Sequence, residues 1–185
     1  MDNGLRILAI SDDSIRAAGG RLTFIRLCRK LRERNDKILL VMNTGKTEEI
    51  LGRRSNELRI KVPQTTGYIR YPLFSLKLLP LMIKVSKSFD VILVNAGPIT
   101  FPVLVMAKLL GKKVVEFHHD VPETVGLFLS YAPSLRKKVS TLLRIFANYS
   151  ILKYFDGILS VSGYTSALLK RFKVKRVFTV GNILD

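Results

Sequence analysis

Two histidines and two carboxylates, His118, His119, Asp120 and Glu123, fall within six residues at the end of the run VVEFHHD. Imidazole titrates near neutrality and carboxylates accept protons, so the cluster invites either a metal site or acid–base work. Metal is the poorer fit. Neighbouring side chains on an extended strand point to opposite faces, so His118 and His119 would not readily chelate one ion. One of the two is expected to pack against a helix and the other to face a cleft, and a structural role stays open for either.

A second cluster, Asp12, Asp13, Gly19, Gly20 and Arg21, follows the first apolar run and opens a helical pattern. Paired glycines let backbone N–H groups approach an anion, and a helix N-terminus adds partial positive charge. A tight turn that needs glycine for geometry alone fits the same residues. No G-x-G-x-x-G occurs there and no acidic residue ends the second apolar run, so the dinucleotide fingerprint is missing. Asn95, with Gly97 and Pro98, ends the run DVILVN and suits either a hydroxyl ligand or a cap for a helix beginning near Ile99. Ser162 and Thr165 read as a helix start, since neither G-x-S-x-G geometry nor an evident base accompanies them. Cys28 lies among Leu22, Ile25 and Leu31 and reads as a packed helix residue; as the sole cysteine it forms no disulfide within the chain.

These residues need a scaffold, and the hydrophobic pattern supplies one. Residues 5–10 (LRILAI) are a continuous apolar strand, and Leu22, Ile25, Leu27 and Leu31 give the helix after it one face. Residues 38–42 form the second strand, and 58–62 (LRIKV) alternate as a more exposed third. A helix is expected over 72–88, with Pro80 near its start or kinking it. Then come a strand at 90–95, a helix at 99–110 and a strand at 113–118. A long basic helix over 135–154 follows; most of its apolar face is expected to dock on the sheet, and any exposed part to serve as a membrane-surface element with its basic residues meeting anionic lipid. A final strand, helix and strand over 158–180 complete the pattern. Apolar strands separated by helices argue for an α/β fold: one Rossmann-like, doubly wound parallel sheet of about seven strands, helices on both faces, ligands at the carboxyl ends.

The 185 residues suit one domain that buries roughly 70% of its unfolded surface. With 48% of residues hydrophobic and 24% charged, the chain falls outside the disordered and fibrous classes. Its start, MDNGLRILAIS, lacks the basic and long apolar regions of a secretory signal, so a cytoplasmic location is expected. The longest uncharged stretch, 91–107, is interrupted by Asn95, Gly97, Pro98 and Pro102, which suits a buried strand, loop and helix better than a membrane span. The net charge of +17 calls for an anionic partner. Residues 58–89 and 124–155 contain no acidic residue, and the second stretch carries Arg136, Lys137, Lys138 and Arg144. Anionic lipid, nucleic acid or a phosphorylated substrate would answer such a field, and so would a merely soluble surface.

Several segments together resemble the N-terminal domain of family 4 glycosyltransferases. Residues 112–120 fit the pattern K-x-V-V-x-x-x-HD, Gly19 and Gly20 fit its first loop, and the closing stretch VSGYTS…GNILD fits its strand, helix, strand and linker. Asn35 and Asp36 stand where relatives have GH, and Gly181 and Ile183 replace a usual Pro and Gly. The resemblance implies half of a GT-B fold: residues 1–180 as the acceptor-binding domain, 181–185 as the start of an interdomain linker, and a donor-binding C-terminal domain beyond. It further implies transfer from a nucleotide sugar with retained anomeric configuration, no catalytic metal, and no cofactor in this domain. His119 is then the cleft residue that meets sugar or acceptor hydroxyls, Asp120 orders the following loop, and Gly19, Gly20, Arg21 and Asn95 line the substrate. The domain alone is expected to be nearly inactive, working with its own C-terminal domain or a separate donor-binding subunit. The charge points to a lipid-linked acceptor, with Arg136, Lys137, Lys138 and Arg144 meeting the inner face of a membrane. A non-catalytic basic module for nucleic acid, with Tyr68, Arg70 and Tyr71 interleaved, is the rival; it explains the charge but neither HHD nor the glycines.

Overall fold

A computed structural model describes residues 5–11, 19–34, 37–43, 57–61, 67–95, 99–119, 134–135, 138–139, 142, 149–171, 174 and 176–181. In chain order these give β1 (Arg6–Ser11), α1 (Gly19–Glu33), β2 (Lys37–Asn43), β3 (Glu57–Ile60) and α2 (Gly67–Val85). Then follow β4 (Val91–Asn95), α3 (Thr100–Leu109), β5 (Lys113–His118), β6 (Gly157–Ser160), α4 (Gly163–Arg171) and β7 (Val177–Thr179). Short 3-10 turns lie at Ser86–Ser88 and Leu152–Tyr154.

All seven strands pair in parallel, in the order β3-β2-β1-β4-β5-β6-β7. The chain winds outward from β1 to β3, returns to β4, and winds outward the other way. The strand order therefore reverses between β1 and β4, which opens a crevice at their carboxyl ends.

Both sheet faces are apolar because both are covered. On one, Leu8, Ile10, Ile92 and Val94 pack beneath Phe74, Leu78 and Met82 of α2 and Val103, Leu104 and Ala107 of α3. On the other, Ile7, Ala9, Leu93 and Phe117 pack beneath Phe24, Ile25 and Cys28 of α1. Cys28 is the core residue its neighbours suggest; burial first, then the nearby Glu57 carboxylate, pushes its thiol up and keeps it unreactive.

Three elements differ from expectation. The third strand is Glu57–Ile60 rather than 58–62, and Glu57 is buried while Leu58 is exposed. The inversion has a long-range cause: Arg29 of α1 donates to the Glu57 carboxylate, with Nε at 2.8 Å and Nη2 at 2.6 Å from Oε1. Helix α2 begins at Gly67 and carries both Pro72 and Pro80 inside it. Two interior prolines together cost about 6 kcal/mol, which full burial of Phe74, Leu78 and Met82, at roughly 5–9 kcal/mol, offsets, and both prolines lie on exposed positions. Within the expected long helix, Leu135, Val139 and Leu142 are exposed instead of docked, whereas Leu152 at its far end is fully buried. The residues between 143 and 148 lie outside the described set.

Helix ends are locally determined. Gly111, at φ 64°, closes α3: its N–H donates to the Lys108 carbonyl and the Lys112 N–H to that of Ala107, the paired bonds of a left-handed C-terminal cap. Ser162 caps α4 as expected, its Oγ accepting the Thr165 N–H at 3.1 Å. Asp156 accepts from the Val114 N–H at 2.8 Å and from Lys108 at 2.9 Å, joining the approach to β6 to α3 and β5.

Candidate functional site

Strand alternation decides which polar residues meet at the crevice. Leu93 and Phe117 face α1, so Asn95 and His119, each two residues further on, face it too; the same count from Ala9 places Ser11 there. Asn95 is fully buried, and its Nδ2 donates to Ser11 Oγ at 3.2 Å across the β1–β4 crevice. Among the described residues, the Asn95 Oδ1 atom has no hydrogen-bond partner. Asn95 does not cap α3: the cap position is Ile99, without a side-chain bond, and the Asn95 carbonyl instead accepts from Thr100 Oγ1 at 3.5 Å.

His119 leaves β5 over Phe117, with ring centroids 6.3 Å apart, and Phe117 in turn meets Phe24 of α1 at 5.6 Å. The imidazole lies directly against the first turn of α1. A Cβ built on Gly20 would overlap the ring, with Nε2 only 2.5 Å away. Gly20 has no positive φ, so the requirement for glycine here is close approach and not turn geometry. The partial positive charge of the α1 N-terminus is thereby brought beside an imidazole and the Ser11–Asn95 pair, a setting that favours an anion or an electron-rich hydroxyl oxygen.

His118 turns the other way. It is buried on the opposite sheet face, where Glu116 Oε1 accepts from its Nδ1 at 2.6 Å and its ring stands edge-on to Tyr149. The two histidines therefore serve different sides of the sheet, and no group of three or more potential metal-binding side chains occurs among the described residues.

The structure brings His119 and Gly20 together and sets Asn95 at the adjacent strand end. Gly19 opens α1 beside them, and Arg21 belongs to the same turn. Asp120, Arg136, Lys137 and Arg144 lie outside the described residues, as do Asp12, Asp13, Gly97, Pro98 and Glu123. Lys138 is exposed. Nothing in the sequence singles out Ser11; its one signal is a hydroxyl ending an otherwise apolar strand. The Glu116–His118 pair carries the spacing of same-face strand neighbours, legible once the strand is assigned.

The model of the family described as Glycosyltransferase Family 4 matches residues 18–185. No match was found among curated protein sequences. Similar solved structures include Arabidopsis thaliana UGT89C1 complexed with quercetin, with TM-score 0.68 and 12% identity, covering 98% of this chain and 51% of that one. Phytolacca americana UGT2, complexed with UDP-2fluoro-glucose and pterostilbene, aligns with TM-score 0.66 and 12% identity over 96% of this chain and 55% of that one. A UDP-GlcNAc 2-epimerase from Methanocaldococcus jannaschii aligns with TM-score 0.64 and 12% identity over 96% and 46%. The chain thus spans about half the length of these structures, and the likeness is one of fold.

Proposed function

The chain belongs to glycosyltransferase family 4, and from that premise we propose that it is the acceptor-binding domain of a retaining enzyme that moves a sugar from a nucleotide donor to a lipid-linked acceptor. The observation that carries this reading is the contact of the His119 ring with Gly20 beside the Ser11–Asn95 pair, at the crevice where strand order reverses. Sheets of this type bind ligands at that crevice. His119 and Asn95 supply the hydrogen-bonding atoms for sugar or acceptor hydroxyls, and the first turn of α1 supplies an anion-favouring backbone. The donor nucleotide belongs to a second, C-terminal domain or subunit, so this domain by itself turns over little. No cofactor resides in it. The positive charge favours an acceptor carried on an anionic or phosphate-bearing lipid at the inner membrane face; nucleic acid would answer the same charge but gives no role to the His119–Gly20 contact or to Asn95.

The test is transfer by the full-length protein from a panel of radiolabelled nucleotide sugars to an extract of membrane lipids. The expected result is label in the organic phase with the anomeric configuration of the donor, and its loss in His119→Ala. Label only in water-soluble product would overturn the lipid acceptor; an inverted product would overturn retention; undiminished transfer by His119→Ala would overturn the site.

A further inference from the structure

Helices α2 and α3 lie side by side on one sheet face, and each is apolar on the side turned away from the core. In α2, Leu76 and Ile83 are 66% and 54% exposed and fall opposite Phe74, Leu78 and Met82. In α3, Phe101, Val105 and Leu109 recur every four residues, 57%, 40% and 77% exposed. A helix on the surface of a water-soluble domain carries polar residues in those positions. Side-by-side apolar stripes on neighbouring helices mark a surface that meets something other than water.

The charges around the stripes identify what that is. Neither helix contains an acidic residue. Lys77, whose Nζ donates to the Lys61 carbonyl, and Lys84 edge one side of the α2 stripe, and Lys87 follows in the next turn, all on exposed positions. No described helix is long and apolar enough to cross a membrane, so an apolar stripe edged by lysines fits burial into the headgroup and acyl boundary of one leaflet. We propose that the outer face of α2 and α3 is a docking surface for an anionic lipid bilayer. It rests on the membrane-acceptor part of the reading above and adds to it a definite face. Phe101 follows Thr100, whose hydroxyl donates to the Asn95 carbonyl; the stripe therefore begins at the mouth of the crevice and runs away from it. An acceptor could enter the crevice while its lipid stays in the leaflet.

The experiment is flotation of the chain with phosphatidylcholine vesicles containing roughly one third phosphatidylglycerol. The expected result is salt-sensitive binding that the Leu76→Ser/Ile83→Ser/Phe101→Ser/Leu109→Ser variant loses by about tenfold or more, and that Lys84→Glu/Lys87→Glu weakens at low salt. The charge variant, on exposed positions, decides the matter if the serine variant does not fold. Undiminished flotation of the folded variants would overturn the proposal. So would a parent chain that ignores vesicles, whether it stays monomeric or self-associates through this face. Vesicle binding through α2 and α3, combined with sugar transfer to a water-soluble acceptor, would uphold the surface and overturn the lipid-acceptor reading, so the two fail separately.

Discussion

Gly20→Ala sets two effects of known size against each other. Alanine is favoured over glycine in a helix by about 1 kcal/mol, less in a first turn. Against this, the new Cβ would sit against the His119 imidazole, 2.5 Å from Nε2, where a comfortable contact needs about 3.5–4.0 Å. Relief requires a displaced ring or a shifted helix end, and overpacking of this kind costs about 1–3 kcal/mol. The clash outweighs the propensity, so Gly20→Ala is expected to destabilise the chain by about 0–2 kcal/mol. In a His119→Ala background the ring is gone and the same substitution becomes neutral or stabilising, by up to about 1 kcal/mol. Urea unfolding of the four proteins measures the coupling, which should be about 1–3 kcal/mol, at unchanged denaturant dependence. On the proposed function, in which the imidazole meets a substrate hydroxyl, displacing it should also lower kcat/KM of sugar transfer by about 10–100-fold. An equal effect of Gly20→Ala with and without the His119 ring would refute the steric account and return Gly20 to a role in backbone geometry.

Arg29→Met leaves the Glu57 carboxylate buried without its cation and should cost about 3–5 kcal/mol in urea unfolding, most of which Arg29→Met/Glu57→Leu recovers; equal losses in single and double variants would mean the pair is not the reason. Ser11→Ala removes the acceptor of the buried Asn95 amide and should cost about 1–3 kcal/mol by the same measurement. For Asp156, burial alone would raise the carboxyl, but the hydrogen bonds from the Val114 N–H and Lys108, with the charges of Lys108 and Lys113, outweigh it and hold it below the ordinary carboxylate range. A group depressed on folding stabilises in full above its unfolded pKa of about 3.9 and loses that contribution as pH falls through its lower folded value. Asp156→Asn should therefore melt below the parent at neutral pH, with the gap closing under acid; a gap independent of pH would show that the charge is not involved.

The parallel α/β architecture was legible because each strand is a short apolar run and each helix has a 3.6-residue face, signals that need no knowledge of distant partners. Which residues of the candidate site share a sheet face was legible for the same reason. Strand alternation alone separates His118 from His119, and the structure adds which one meets α1. Glu57 was not legible: a carboxylate at a strand start reads as exposed until Arg29, 28 residues earlier, is seen beside it. Nor were the prolines of α2, whose local preference yields to the packing of Phe74, Leu78 and Met82. The exposed Leu135, Val139 and Leu142 mark the opposite failure, where a helical period is present but periodicity cannot say what faces it.

The Arg29–Glu57 pair is also expected to act at a distance. Arg29 and Gly20 lie on one helix, nine residues and about 13 Å apart along its axis. By fastening α1 to the edge strand, the pair is expected to help, together with the packing of Phe24, Ile25 and Cys28, to fix how far the near end advances toward His119. A helix behaves as a stiff rod over such a span, so slack at the fastening is transmitted to the crevice as axial travel. Displacements of about 1 Å are enough to cost a hundredfold in rate. Substitutions at this remote anchor would then read out as changes in how the crevice fits its ligand, without altering any residue that lines it.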